Sequence, residues 1–288
     1  MDISIDIGGT YIKSCVIDNQ NQMHSYRKIE TPSNREGSIL EAVKKIIESY
    51  KQQFQLENPN VGISTAGVVD SEKGIITYAG PTMPHYDGTN FKEALSDITN
   101  KVVINNDVSC ALLGELGDNQ HKYKSIFLLT IGTGIGGAYF ENQLLEGYQY
   151  RACEIGYLLY DKKTKMTYED RGSTTALKNK IKQQYHQYLS VEQLFEEAAK
   201  GDIKANTVLK EWGKDVAEGI AQIQIIFDPE IILIGGGISQ QRDTLISFIE
   251  PFIDDFLPEA YGHAMITTTS KGNDSALYGA ISAFRNNC

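Results

Sequence analysis

The chain has 288 residues, of which 41% are hydrophobic and 22% charged, so it is long enough for two domains with ordinary globular cores. Its net charge of −10 excludes an extended nucleic-acid surface, which needs a basic face, but not a nucleotide held by local N–H groups and Mg²⁺. No apolar run approaches the roughly 20 residues that span a bilayer, and Met1-Asp2-Ile3-Ser4 begins without a basic region or signal core, so a cytoplasmic chain with no membrane partner is expected.

Residues 2–30 read as strands. Asp6 lies near the end of the first, Gly8-Gly9 make a turn, and Asp18-Asn19-Gln20-Asn21 is a hairpin signal. From Glu36 to Phe54 the apolar positions fall on one helical face. A short strand is expected over Val61–Thr65, a loop over Tyr78–Gly88 and a short helix near Phe91–Ile98. Val102–Asp107 is a strand with a polar end, and Ser109 is expected to cap a helix through Leu116. Near Lys124 the order of strand, glycine turn and strand begins again, which hints at a duplicated architecture. Helices are expected over Thr174–Leu189, Val191–Lys200, Asn206–Phe227, Gln241–Phe256 and Asp274–Arg285. Strands alternating with helices imply an α/β fold with a mixed sheet.

Three glycine turns each follow an apolar strand: Gly8-Gly9-Thr10, Gly132-Thr133-Gly134-Ile135-Gly136-Gly137, and Gly235-Gly236-Gly237. Glycines leave backbone N–H groups uncovered, and successive N–H groups form a concavity that favours phosphate. The second turn contains G-x-G-x-x-G, but Ala138-Tyr139-Phe140 after it reads as strand, whereas a dinucleotide fingerprint requires a helix there. There is no G-x-x-x-x-G-K-[ST] motif either. A pair of glycine hairpins is left, with Thr10 and Thr133 adding hydroxyls, Lys13 a charge, and Asp6 a carboxylate that can hold Mg²⁺ through water. Ordinary hairpin glycines would account for either turn alone.

Asp107 sits between a strand and a helix, where a carboxylate can accept a hydroxyl proton beside a phosphoryl group. Helix capping by Asp107 or Ser109 is the competing account. Asn105, Asn106 and Glu154 can hydrogen-bond sugar hydroxyls. The five histidines have no metal-ligand spacing, and the four cysteines form no C-x-x-C pair, so reduced, space-filling thiols are expected.

Taken together, Asp6-Ile-Gly-Gly-Thr10 with Lys13, Ser64-Thr-Ala-Gly-Val-Val-Asp70, Asn105-Asn-Asp107, Thr130 to Gly137, Glu154-Ile-Gly156, Ile234 to Gly237 and Gly272 to Ala276 resemble the ROK family of sugar kinases, within the actin-like ATPase superfamily. The resemblance implies a two-domain actin-like (ribonuclease H-like) α/β fold with mixed sheets and an interdomain cleft. A small domain would span 1–108 and a larger one 109–273, with a last helix over 274–288 packing back. It implies Asp107 as base and Gly67, Asn105, Asn106, Glu154 and Tyr157 at the sugar. Gly8, Gly9, Thr10, Lys13, Gly132, Thr133 and Gly134 would lie at the phosphates, Gly235, Gly236 and Gly237 near adenosine, and Asp6 at the metal. ATP and Mg²⁺ are the implied cofactors, and a homodimer the implied assembly.

The sequence departs from the family pattern at two places. Tyr157 stands where many members carry His, and Tyr168-Glu-Asp-Arg-Gly-Ser-Thr-Thr175 stands where a zinc loop carries cysteines, so zinc is not expected. These features, with Phe227-Asp-Pro229, resemble the β-glucoside kinase branch, which phosphorylates the 6-hydroxyl of disaccharides such as cellobiose or gentiobiose. A glucokinase or N-acetylmannosamine kinase of the same fold, and a non-catalytic sugar sensor, are the alternatives.

Overall fold

The computed structural model describes residues 1–80, 83–119, 123–185 and 189–285. In chain order the first elements are β1 (Asp2–Ile7), β2 (Tyr11–Ile17), β3 (Met23–Glu30), α1 (Ser38–Phe54), β4 (Asn60–Thr65), β5 (Val68–Asp70), β6 (Ile75–Tyr78), α2 (Phe91–Ala94), β7 (Lys101–Asn106) and α3 (Asp107–Asn119). They are followed by β8 (Ser125–Ile131), β9 (Ile135–Glu141), β10 (Gln143–Leu144), α4 (Tyr168–Gly172), α5 (Thr174–Gln184), α6 (Val191–Ala199) and α7 (Ile203–Phe227). The last are β11 (Ile231–Gly235), α8 (Arg242–Ser247), β12 (Met265–Thr268), α9 (Ser275–Ala280) and α10 (Ser282–Arg285).

The chain divides into two compact units, one of 1–120, 146–152 and 274–288, the other of 121–145 and 153–273. The boundary expected at 108 falls inside the first unit, because α3 stays with it. The sheet of the first unit has the order β3-β2-β1-β4-β7, antiparallel through β1 and parallel from β1 to β7. The second unit repeats that pattern as β10-β9-β8-β11-β12. The restart read near Lys124 is therefore a repeat of one sheet topology.

β1 alternates strictly, Asp-Ile-Ser-Ile-Asp-Ile, and alternate side chains point to opposite faces. Ile3, Ile5 and Ile7 join Ile39, Val43, Ile46, Ile47 and Tyr50 of α1 in one core. The opposite, polar face meets α9, where Ser4 Oγ donates to Leu277 O at 2.6 Å. Here α3 and α9 approach until their backbones touch. A Cβ on Gly279 would overlap Cys110 O, and one on Gly114 would overlap Ser275 O. Ser275 Oγ also hydrogen-bonds the buried Glu115 carboxylate at 2.7 Å.

In the second unit α7 is the central helix. Leu209, Trp212, Val216, Ile220 and Ile223 are buried as its periodicity requires, and Trp212 Nε1 donates to Gly172 O at 2.9 Å. Phe227 packs on Phe127 at 4.9 Å and on Tyr139 at 5.2 Å between ring centres.

Several expected boundaries move. α7 begins at Ile203 because Asp202 caps it, accepting from Ala205 N at 2.7 Å. α3 begins at Asp107, not after a Ser109 cap. The helix expected over Gln241–Phe256 is instead three short pieces, the last a 3-10 turn carrying Pro251, which lacks the N–H that a continuous helix needs. The terminal helix breaks at Ile281 into α9 and α10. α5 ends at Gln184, and residues 186–188 of its expected continuation lie outside the described residues. Among the described residues no helix is long and apolar enough to cross a membrane.

The contact between α3 and α9 gives a direct test. Gly279→Ala forces a methyl group into the Cys110 carbonyl, and overpacking of this kind costs about 1–3 kcal/mol. The variant is expected to unfold at lower urea concentration than wild type, as read by far-ultraviolet circular dichroism. An unchanged midpoint contradicts the packing.

Candidate active site

In the first unit the carboxyl ends of three parallel strands meet at one edge, the place where open α/β sheets present ligand sites. The register aligns Asp6 of β1 with Ser64 of β4 and Asn105 of β7, and, on the other side of β1, Asp6 with Lys13 of β2. The Asp6 carboxylate is thus held from both sides. Ser64 Oγ donates to its Oδ1 at 2.8 Å and Lys13 Nζ to its Oδ2 at 3.2 Å. Two residues on, the Gly8-Gly9 turn closes with Gly8 N donating to Tyr11 O at 3.0 Å. Outside the turn, Thr31 donates from Oγ1 to Gly8 O at 2.6 Å and from its N–H to Thr10 O at 2.9 Å.

Asp107 opens the first turn of α3, where the N-terminal end of the helix dipole favours an ionised carboxylate, and it is half-buried. The cap of this helix is Asn106. Its Oδ1 accepts from Val108 N at 2.9 Å and from Ser109 N at 3.3 Å. Its Nδ2 donates to Gly67 O at 2.9 Å, which ties the loop after β4 to the end of β7. Asp107 Oδ1 also accepts from Val108 N at 2.9 Å. Asn106 and Gly67 therefore shape the strand ends, while Asn105 shares the Asp6 row.

Cys110, fully buried one turn into α3, has its thiol pushed well above the usual range, first by burial and then by the negative charges of Asp6 and Asp107. Its Sγ lies 3.9 Å from Ile63 O and 3.8 Å from Asn105 O. Among the described residues there is no group of three His, Cys, Asp or Glu side chains that could cage a metal. Mg²⁺ seldom uses such a cage. It takes one or two carboxylates, waters and substrate phosphates, and the oriented Asp6 beside a glycine turn fits that donor set.

The second unit brings its two glycine turns together. Gly235 pairs with Thr130 across β11 and β8, and Gly236, at φ +87°, lies so close to Ile131 that a Cβ would overlap its carbonyl oxygen. Gly237 is exposed beside them. The hairpin itself closes with Gly132 N donating to Gly134 O at 2.9 Å. Thr174 donates to Gly132 O from its N–H at 2.9 Å and from Oγ1 at 2.6 Å. Thr175 Oγ1 donates to Thr133 O at 2.7 Å. Glu169 Oε2 accepts from Ile135 N at 2.8 Å and occupies the space a Cβ on Gly134 would need.

Glu154 and Tyr157 are both exposed, and a 3-10 turn joins them, with Tyr157 N donating to Glu154 O at 3.3 Å. The sugar candidates are thus divided between the units: Gly67, Asn105 and Asn106 in the first, Glu154 and Tyr157 in the second.

Glu169, Thr174, Thr175 and Thr31 were missed by sequence reasoning. Each lies far along the chain from the turn it holds. The one signal for the first three is the polar run 168–175, where cysteines would otherwise stand. That run is built on hydrogen bonds. Thr167 and Asp170 form a capping box, Ser173 caps α5, and Tyr168 OH donates to Val216 O at 3.0 Å.

Residues 2–287 match the ROK family. An uncharacterised protein of Clostridium perfringens is 33% identical over 294 residues, covering 98% of this chain and 97% of the relative. A beta-glucoside kinase of Listeria monocytogenes is 30% identical over 298 residues, covering 98% of this chain and 96% of the relative. Among solved structures, a ROK family glucokinase from Streptomyces griseus, in complex with glucose and AMPPNP, superposes with a TM-score of 0.82 at 24% identity, covering 97% of each chain. The fold is that of the actin-like ATPases.

The buried thiols set a pH limit. Burial raises Cys15 and Cys153 from the ordinary 9.0 to about 12, with smaller contributions from the charges of Asp274 and Glu154. A thiol that keeps its proton when folded and loses it when unfolded stabilises the fold fully below pH 9, and that stability is lost as the pH rises towards 12. The urea midpoint is therefore expected to fall between pH 8 and 10.5. At pH 8, Ellman's reagent should find no more than one reactive thiol among the four of the native chain. Two or more would contradict the burial.

Proposed function

The chain belongs to the ROK family and is an ATP-dependent carbohydrate kinase, and on that premise we propose that it phosphorylates the 6-hydroxyl of a β-glucoside disaccharide such as cellobiose or gentiobiose. The observation that carries the reading is the row at the carboxyl ends of β1, β4 and β7, where Asp6 is held by Ser64 and Lys13 beside the first glycine turn and Asp107 follows β7 directly. A phosphoryl transfer needs both a base and an anion cradle at such an edge.

Asp107 takes the proton from the acceptor hydroxyl as its oxygen meets the γ-phosphorus in line. The turns of Gly8, Gly9 and Thr10 and of Gly132, Thr133 and Gly134 bind the phosphates, through the N–H groups that do not close the turns themselves, the hydroxyls of Thr10 and Thr133, and Lys13, and stabilise charge on the equatorial oxygens. Gly235, Gly236 and Gly237 line the adenosine. Asp6 would hold Mg²⁺, and the ion would neutralise charge on the transferring phosphate. Asn105, Asn106, Gly67 and Glu154 are the sugar contacts of this reading, with the Glu154 carboxylate accepting hydrogen bonds from sugar hydroxyls. Tyr157, three residues after Glu154, offers an aromatic face to the ring. The substrate class is supported by the beta-glucoside kinase relatives at 28% and 30% identity over 98% of the chain. A cytoplasmic homodimer without zinc belongs to the same proposal, and sedimentation velocity tests the assembly.

Asp107→Asn keeps the size of the side chain and removes the base. It is expected to lower kcat by about 10²–10⁴ while AMPPNP still binds. Turnover within a few-fold of wild type removes Asp107 from the role. On a panel of cellobiose, gentiobiose, glucose and N-acetylmannosamine, kcat/KM is expected to be highest for a disaccharide. A monosaccharide preference shifts the assignment to a glucokinase or N-acetylmannosamine kinase, and no ADP release with any sugar leaves a sensor.

A further inference from the structure

We propose that Thr31 and Thr174 are positioning residues that aim the N–H groups of the two glycine hairpins at the phosphates of ATP, a role that rests on the kinase reading above. The same device occurs once in each unit, on elements that do not correspond. Thr31 follows β3, and Thr174 opens α5. Each sends a hydroxyl to the carbonyl of the first glycine of its hairpin at 2.6 Å, Thr31 to Gly8 O and Thr174 to Gly132 O. Each adds its backbone N–H, Thr31 to Thr10 O and Thr174 to Gly132 O, both at 2.9 Å. Thr175 extends the second latch to Thr133 O at 2.7 Å.

The consequence follows from peptide geometry. In a planar trans peptide the C=O and the next N–H point in opposite directions, and among the described residues there is no cis peptide. Holding Gly8 O against Thr31 turns the Gly9 N–H the other way. Holding Gly132 O and Thr133 O against α5 does the same for the Thr133 and Gly134 N–H groups. An unlatched glycine peptide can flip and present its carbonyl to the phosphate, replacing an attraction by a repulsion. The hydroxyls therefore fix the sign of the electrostatic field that the hairpins offer, without touching the nucleotide. Preorganised dipoles of this kind cost no reorganisation when charge moves in the transition state.

The test is calorimetric titration of the full chain with Mg²⁺ and AMPPNP. Thr31→Val and Thr174→Val keep the shape and delete the hydroxyl, and each is expected to weaken binding at least fivefold. Thr31→Ser and Thr174→Ser restore the hydroxyl and should bind within twofold of wild type, which a merely space-filling threonine would not require. Thr175→Val, at an exposed position, gives a second reading of the α5 latch should Thr174→Val fail to fold, with the same fivefold expectation. Less than fivefold weakening in the folded valine variants, or equal weakening in the serine variants, overturns the assignment. If wild type binds tightly and the valine variants match it, only the threonine role fails. A wild type that binds no AMPPNP overturns the kinase reading together with it.

Discussion

The position of the candidate base depends on a place where two helices touch backbone to backbone. α3 carries Asp107 in its first turn, and its Cys110 and Gly114 lie directly against Gly279 and Ser275 of α9. At that separation no side chain fits between the helices, so neither can rotate or slide without a clash. α9 is in turn hydrogen-bonded to β1 through Ser4. Asp6 on β1 and Asp107 on α3 thus belong to one rigid stack of strand, α9 and α3, and the spacing of the two carboxylates is fixed by packing away from the chemistry.

That arrangement concentrates charge where a buried core would not tolerate it. β1 is buried along most of its length, yet its α9-facing side reads Asp2, Ser4, Asp6. Each polar group is answered. Asp2 pairs with Arg285 at 2.9 Å and accepts from Asn60 at 2.9 Å, Ser4 bonds Leu277 O, and Asp6 is held by Ser64 and Lys13. Buried polar groups are stable when every one has a partner and costly when one is missing. Cys110, fully buried behind this edge, has its thiol pushed up first by burial and then by the charges of Asp6 and Asp107.

The second unit meets a different demand. Its hairpin is rich in glycine, and glycine by itself leaves the orientation of each peptide open. The polar run 168–175 resolves the ambiguity through Glu169, Thr174 and Thr175, and is itself anchored on α7 by Tyr168, Trp212 and the Arg171–Glu218 ion pair at 2.6 Å. A long buried helix thereby carries its rigidity to a glycine turn that has little of its own.

The amino-acid sequence by itself determined most of the elements and the order in which they occur. Strict alternation marked β1, apolar periodicity marked α1 and α7, and strand-then-glycine spacing marked the three turns, because each signal is local and repeats at the period of its own backbone. Asp107 was legible for the same reason, as a carboxylate at a strand–helix junction. The tertiary structure alone decided that Asn106, not Ser109, caps α3, that Gly279 faces Cys110, and that Thr31 and Thr174 hold carbonyls of turns far from them in the chain. A hydrogen bond or a close approach between distant segments leaves no periodic trace in either segment. It depends on which faces the folded layers bring together, and that is settled only when the cores close.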